Sequence, residues 1–383
     1  MEQVIFERSG GSLVLADGRA SAELAMAGDV PLLLARLGVM KPLIVSGGGL
    51  ARSGIAEEME HRGMPVVHFD GFTPNPTAEQ VAAGLAMYRD NACDGILSIG
   101  GGSALDVAKA IKAMGDTDDN TSLLERLTHP VPMAVPHVAL PTTAGTGSES
   151  THFATIYIGG KKYSVAHETL LPEVAILDPA QLATLPQAER ASTFLDALCH
   201  SIESYWSVRS SEESRAYSAQ AISILMSNAA AYLAADEAAA GAVLAASNFA
   251  GRAINLTTTT AAHAMCYQLT AFYGLRHGHA AAVCLPAAWE CLLQAAENDA
   301  ALNERLSDLA QLLSGSKDPQ AGLDAFLALR EQADLAKDWL PDDDNDLPLL
   351  AGSVNVQRLS NFPVAVTEDD LLTMYRRAFE GVR

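Results

Sequence analysis

A chain of 383 residues exceeds the ~250–300 at which single hydrophobic cores stop growing, so two domains are expected. With 46 Asp and Glu against 25 Lys and Arg, a net charge of −21 and 49% apolar residues, the composition is globular. It excludes nucleic acid as a partner, because phosphates demand a basic surface. No run of about 18 apolar residues is present, which argues against a helical membrane span. The start, MEQVIFERSGG, lacks the features of a signal peptide, so a cytoplasmic location is expected.

Up to residue 186, short apolar runs alternate with helical patterns. KPLIVSGG, MPVVHFDGF, DGILSIGGG and HVALPTTAG each read as a buried strand entering a turn, and TAEQVAAGLAMYRDN as a helix between them. This alternation predicts a mostly parallel sheet with crossover helices. IYIGGKKYSVAHE reads as a hairpin turning at Gly159-Gly160, AILDPAQLATLP closes the half, and Pro186 marks the boundary. Residues 1–186 therefore form an α/β domain.

Two loops in this half suit phosphate. In ILSIGGGSALDVAKA, a strand runs through Gly100, Gly101, Gly102 and Ser103 into a helix that carries Asp106. Backbone N–H groups at a helix start attract an anion, and missing Cβ atoms let a pyrophosphate approach. The pattern is neither GxGxxG nor a Walker loop. VALPTTAGTGSE repeats the logic with Thr142, Thr143, Gly145, Thr146, Gly147 and Ser148, whose hydroxyls and bare backbone suit phosphate and ribose.

From 187 to 383, strand signals vanish. RAYSAQAISILMSNAAAYLAAD and AAAGAVLAASNFAGRAIN carry apolar and small residues at helical spacing, which suits close-packed helices. LAKDWLPDDDNDLP reads as an acidic surface loop. FLDALCHSIESYW lacks Gly and Pro, so it reads as a helix with Asp196 and His200 on one face. Downstream, His263 and His277 lie fourteen residues apart. One carboxylate and three imidazoles suit Fe²⁺ or Zn²⁺ better than Ca²⁺ or Mg²⁺. Either pair alone is also what surface or core histidines would give. The cysteines, Cys93, Cys199, Cys266, Cys284 and Cys291, show no CxxC spacing and read as reduced thiols.

GGGSALDVAK, PTTAGTGSE, DALCHSIESYW and the His263/His277 segment follow the order seen in the iron-containing alcohol dehydrogenases, and the chain resembles that family over essentially its whole length. The resemblance implies an α/β N-terminal dinucleotide-binding domain and an all-α C-terminal domain, a fold shared with dehydroquinate synthase. It implies Fe²⁺, or Zn²⁺ in its place, held by Asp196, His200, His263 and His277. It further implies NADH or NADPH as cofactor and a homodimer or higher homo-oligomer. STHFATIYIGGKKYSVAHETLLPEVAILDP, DALCHSIESYWSVRSSEESRAYS, TTTAAHAMCYQLTAFYGLRHGHA and SVNVQRLSNFPV are similar to the phosphonoacetaldehyde reductases. That narrower resemblance implies reduction of phosphonoacetaldehyde to 2-hydroxyethylphosphonate. The alternatives are a small-aldehyde or diol dehydrogenase and, more distantly, a non-redox lyase resembling dehydroquinate synthase.

Individual positions follow from the resemblance. Ser46 and Gly47 stand where many members have Thr-Asp, whose acidic side chain would repel a 2′-phosphate; Gly47 removes that charge, so NADPH stays open. Asn75 matches an Asn-Pro turn near the nucleotide. Tyr267 replaces a histidine credited with relaying a proton, and a phenol, with an unperturbed pKa near ~10, is a weak base at neutral pH. His279 is the substitute for that relay and also a substrate candidate. Lys162 matches a family lysine with catalytic and cofactor roles. Thr151, His152 and Arg358 are the further substrate-binding candidates, with His167 and Arg276 as additional cationic side chains.

Overall fold

The computed structural model describes residues 21–23, 27–115, 121–341, 344–355 and 359–382. They fall into two compact units. The first holds the chain through Thr143 together with Gly147–Thr184; the second holds Ala144–Thr146 and the chain from Leu185 onward. The second unit thus begins just ahead of the expected boundary and also takes a three-residue piece of the TTAGTG loop.

In the first unit, β1 (Ser21–Glu23), β2 (Pro42–Ser46), β3 (Val67–Phe69), β4 (Gly95–Gly100), β5 (His137–Pro141) and β8 (Val174–Ile176) form one sheet. Its order is β1-β8-β5-β4-β2-β3, with every pair parallel. Helices α1 (Val30–Arg36), α2 (Gly49–Ser53) and α3 (Ile55–His61) precede β3, α4 (Ala78–Asp90) leads to β4, and α5 (Gly102–Met114) and α6 (Leu123–Thr128) lead to β5. Leu43 and Val45 pack with Val81, Leu85 and Ile111 in one apolar cluster, while Ile44, Leu97 and Ile99 pack with Leu34, Ile55 and Met59 in another. Both faces of the sheet are covered, which is why its strands read as unbroken apolar runs. α4 opens on a capping box between Thr77 and Gln80. The separate hairpin of β6 (Phe153–Ile158) and β7 (Lys161–Ala166) turns at Gly159 and Gly160, with φ of 55° and 76°, as a two-residue type I′ loop requires.

The second unit is helical among the described residues: α7 (Gln187–Trp206), α8 (Glu212–Leu233), α9 (Glu237–Thr257), α10 (Ala261–Tyr273), α11 (His277–Ala296), α12 (Ala300–Ser314), α13 (Pro319–Gln332), α14 (Leu347–Gly352) and a final helix, Glu368–Glu380. α7 sits at its centre, buried along most of its length. Trp339, in the tract read as an acidic surface loop, packs on Tyr273 and Phe379, so that loop is anchored by an aromatic cluster. All five cysteines are free, four of them buried. No helix of the described residues is long and apolar enough to cross a membrane.

Candidate functional site

Three helices of the second unit bring four donor side chains together. Asp196 and His200 stand one turn apart on α7, His263 lies in the first turn of α10, and His277 is the first residue of α11. The Nε2 atoms of His263, His200 and His277 lie 3.3, 3.8 and 3.9 Å from Asp196 Oδ1. One donor atom from each of the four falls within 4.8 Å of all the others. A tetrahedral ion with bonds of ~2.0–2.2 Å needs its ligand atoms about 3.3–3.6 Å apart. The three distances to Asp196 Oδ1 are within a few tenths of an ångström of that spacing, and the widest donor separations would close by up to about 1 Å around a divalent ion. Asp196, His200 and His263 are buried, whereas the His277 side chain is 37% exposed, so the cluster is open on one side.

The outer ring nitrogens are also engaged. His200 Nδ1 donates to the carbonyl of Gly145 at 3.3 Å, and His277 Nδ1 faces Cys266 Sγ at 3.6 Å. His263 Nδ1 is hydrogen-bonded to Glu203 Oε2. Such outer partners fix which nitrogen of each imidazole faces the ion. Burial alone would raise the Asp196 carboxyl, but His200, His277 and His263 hold it well below the usual carboxylate range. Burial lowers His200, partly offset by Asp196. For His263, burial works downward, and Glu203 and Asp196 pull it up to about 9.

Tyr267, one turn beyond His263, stacks on the His277 ring with centroids 5.4 Å apart and planes 18° from parallel. His279 does not join the cluster. Two residues along a helix is a rotation of about 200°, and its ring meets Trp339 edge-on at 6.0 Å. Burial, with Arg276 and Arg330 nearby, lowers it to about 4. Arg276 pairs with Glu189 at 2.5 Å on the surface. Arg358 lies outside the described residues.

The first unit carries the phosphate-suited loops. β3 and β4 pair with opposite edges of β2, so the strand order reverses between β2 and β4. Ligands of open α/β sheets bind outside the carboxyl ends of strands at such a switch. Gly47 follows β2, Gly100 ends β4 with Gly101–Ser103 following it, and Thr142-Thr143 follow β5, all at that end. Gly101 caps α5 with no side chain; its carbonyl accepts from Ala104 N and Leu105 N, and the N–H groups of Gly102 and Ser103 at the helix start are those suited to an anion. At Gly47 a Cβ would meet nothing within 4 Å. Asn75 is exposed, in the left-handed region at φ 58°.

Several expected contacts turn inward instead. Ser46 Oγ accepts from Leu50 N at 2.9 Å, starting α2. Asp106 accepts from Ser148 Oγ and Thr155 N, both at 2.9 Å. Lys109, fully buried, donates to Ser148 Oγ and Thr151 Oγ1, each at 2.9 Å. Ser46 and Thr151 are fully buried, and the hydroxyl of Ser148 serves this internal network. Thr146 belongs to the other unit. Lys162, on β7, is close enough for its charge to favour ionised Asp106. His152 is half-buried, edge-on to Phe153 at 5.8 Å.

Sequence reasoning missed Glu203 and Lys109. Glu203 lies seven residues after Asp196 and three after His200, a spacing that places all three on one helix face. Lys109 lies three residues after Asp106 on a helix whose other polar side chains are Ser103 and Lys112, a spacing that lets a lysine be tied to an internal acid.

Two family models match the chain: iron-containing alcohol dehydrogenase over residues 24–179, and the C-terminal part of the Fe-containing alcohol dehydrogenase family over residues 190–379. Alcohol dehydrogenase 4 of Saccharomyces cerevisiae is 32% identical, over 89% of this chain and 91% of its own length. The 1,3-propanediol dehydrogenase of Klebsiella pneumoniae is 34% identical, over 76% of each. Among solved structures, sulfoacetaldehyde reductase from Bifidobacterium kashiwanohense in complex with NAD⁺ matches with a TM-score of 0.83 and 28% identity, over 94% of this chain and 97% of that one.

Proposed function

This chain belongs to the iron-containing alcohol dehydrogenase family, and from that premise we propose that it reduces small anionic aldehydes, with phosphonoacetaldehyde giving 2-hydroxyethylphosphonate. As an oxidoreductase of this family it uses a divalent metal and a nicotinamide dinucleotide. The observation that carries the reading is the convergence of three imidazole Nε2 atoms on Asp196 Oδ1. In our reading Asp196, His200, His263 and His277 hold Fe²⁺, or Zn²⁺ in its place. Gly100–Ser103 and the start of α5 take the pyrophosphate of NADH or NADPH. The bound groups supply hydride and Lewis-acid stabilisation of charge growing on the carbonyl oxygen. The chain's own part is positional. Tyr267 holds the plane of the partly exposed His277, and Gly145, Glu203 and Cys266 keep each inner nitrogen turned inward.

Support for an anionic aldehyde comes from the likeness to a sulfoacetaldehyde reductase. The likeness to a 1,3-propanediol dehydrogenase favours a second reading, a general small-aldehyde or diol dehydrogenase. Both halves match dehydrogenase models, which leaves the lyase alternative without support. The test is a steady-state comparison of phosphonoacetaldehyde with acetaldehyde, butanal and lactaldehyde, using each nicotinamide. A charge-assisted hydrogen bond is worth roughly 1.5–3 kcal/mol, so kcat/KM should favour phosphonoacetaldehyde by about ten- to a hundredfold. If Lys162 also holds the dianion, Lys162→Ala should lower kcat/KM for phosphonoacetaldehyde more than for acetaldehyde. Equal efficiencies on all four aldehydes would leave the second reading.

A further inference from the structure

We infer that Glu203 is the positioning residue of the metal centre, setting both the tautomer of His263 and the start of the helix that carries it. The inference rests on the metal reading proposed above and concerns a side chain outside the four ligands. Glu203 is fully buried. Its Oε1 accepts from Thr260 N at 3.0 Å, Thr260 Oγ1 at 2.6 Å, Ala262 N at 3.1 Å and His263 N at 3.4 Å. Its Oε2 meets His263 Nδ1. Ala262 and His263 are the second and third residues of α10, whose N–H groups have no intrahelical partner. Thr260, the residue before that helix, makes no side-chain cap bond of its own. Its hydroxyl donates to Glu203 and accepts from Trp206 Nε1 at 2.9 Å. A carboxylate from α7 therefore supplies the cap that α10 would otherwise take from Thr260.

The same carboxylate decides which nitrogen of His263 can bind an ion. A carboxylate oxygen only accepts, so Nδ1 carries the proton that faces Glu203, and Nε2, 3.3 Å from Asp196 Oδ1, is the nitrogen that gives up its proton when an ion binds there. Glutamine at this position cannot do both jobs. Its oxygen is claimed by the four donors on the Oε1 side, which turns its NH₂ toward His263 Nδ1. Nδ1 then becomes the acceptor, Nε2 takes the proton, and a protonated nitrogen cannot ligate.

The experiment measures Co²⁺ affinity of the full-length, metal-stripped protein by chelator competition, with circular dichroism and melting curves alongside. Glu203→Gln should stay folded and bind Co²⁺ about 10–100-fold more weakly, the range for losing an outer partner of a ligand. A folded Glu203→Gln protein with parental affinity would overturn the inference, since a purely structural role would move melting and not affinity. A measurement on the parent alone stands beside it. In the Zn²⁺-loaded protein labelled with ¹⁵N-histidine, the ring proton of His263 should sit on Nδ1 and exchange slowly. Finding Nδ1 unprotonated would equally overturn the inference. A parent protein that fails to bind Co²⁺ at all would instead bring down the metal reading beneath it.

Discussion

Gly278 offers a direct test of how the helices hold the cluster. It follows His277 on α11, and a Cβ built there would lie 2.0 Å from the carbonyl oxygen of Ser192 and 2.7 Å from Asp196 Cβ. Both contacts are with α7, the helix that carries two of the four donors. Comfortable separations are about 3.5 Å or more, so Gly278→Ala forces α11 back by roughly 1 Å or more. Overpacking of this kind costs about 1–3 kcal/mol, or about 2–12 °C of melting temperature at ~2–4 °C per kcal/mol. The retreat also widens the 3.9 Å between His277 Nε2 and Asp196 Oδ1. Ligand distances tolerate only about 0.2 Å, so Co²⁺ affinity should fall at least tenfold (~1.4 kcal/mol). Calorimetry on the metal-free protein and chelator competition measure the two effects separately. A variant with parental melting and parental affinity would refute the packing argument. Lowered melting with full affinity would show that the displacement stops short of His277.

Gly101→Val adds a branched side chain whose Cβ already lies 3.3 Å from Thr143 Cγ2, so the loop loses its bare backbone. NADH fluorescence titration should show at least a tenfold weaker Kd (~1.4 kcal/mol), and an unchanged Kd would place the dinucleotide elsewhere. Gly47→Asp enters open space and should lower NADPH use relative to NADH through added negative charge. An unaltered ratio of the two kcat/KM values would show that Gly47 does not face the ribose. Burial, with Arg276 and Arg330, lowers His279 from 6.5 to about 4. Its contribution to stability is complete above pH 6.5 and is lost as pH falls from there toward 4, at up to ~1.4 kcal/mol per unit. Urea titrations at pH 7 and 4.5 should therefore show a smaller acid loss in His279→Phe than in the parent; equal losses would contradict the assignment.

Features written in short-range chemistry were legible. The TAEQVAAGLAMYRDN pattern announces a helix, Gly159-Gly160 announces a tight hairpin, and the four-residue step from Asp196 to His200 announces a shared helix face. The glycines after β4 could be read because a strand, bare backbone and a helix start follow each other directly. What escaped depends on residues far apart in the chain. Glu203 reaches donors 57 to 60 positions away, and Lys109 reaches Ser148 and Thr151 39 and 42 positions on. Without those partners in view, Ser148 and Thr151 look like hydroxyls offered to a ligand. His279 misled for another reason: closeness to His277 in sequence says nothing of the near-opposite direction two helical residues take. Nor does Ser21–Glu23 carry a pattern of its own; it is a strand because β8 presents an edge to it.

The excursion of Ala144–Thr146 into the second unit bears on modularity. Gly145 lies so close to α7 that a Cβ would come within 2.6 Å of Thr193, and its carbonyl receives the Nδ1 proton of His200. A fragment begun at Leu185 would keep all four donor side chains yet leave that imidazole to solvent. Exchanging halves between relatives would likewise join a foreign Gly145 segment to a resident His200. The boundary that looks like a convenient crossover point for recombination therefore passes through the support of a metal-cluster histidine, and swapped halves would need their loop and helix matched as a pair.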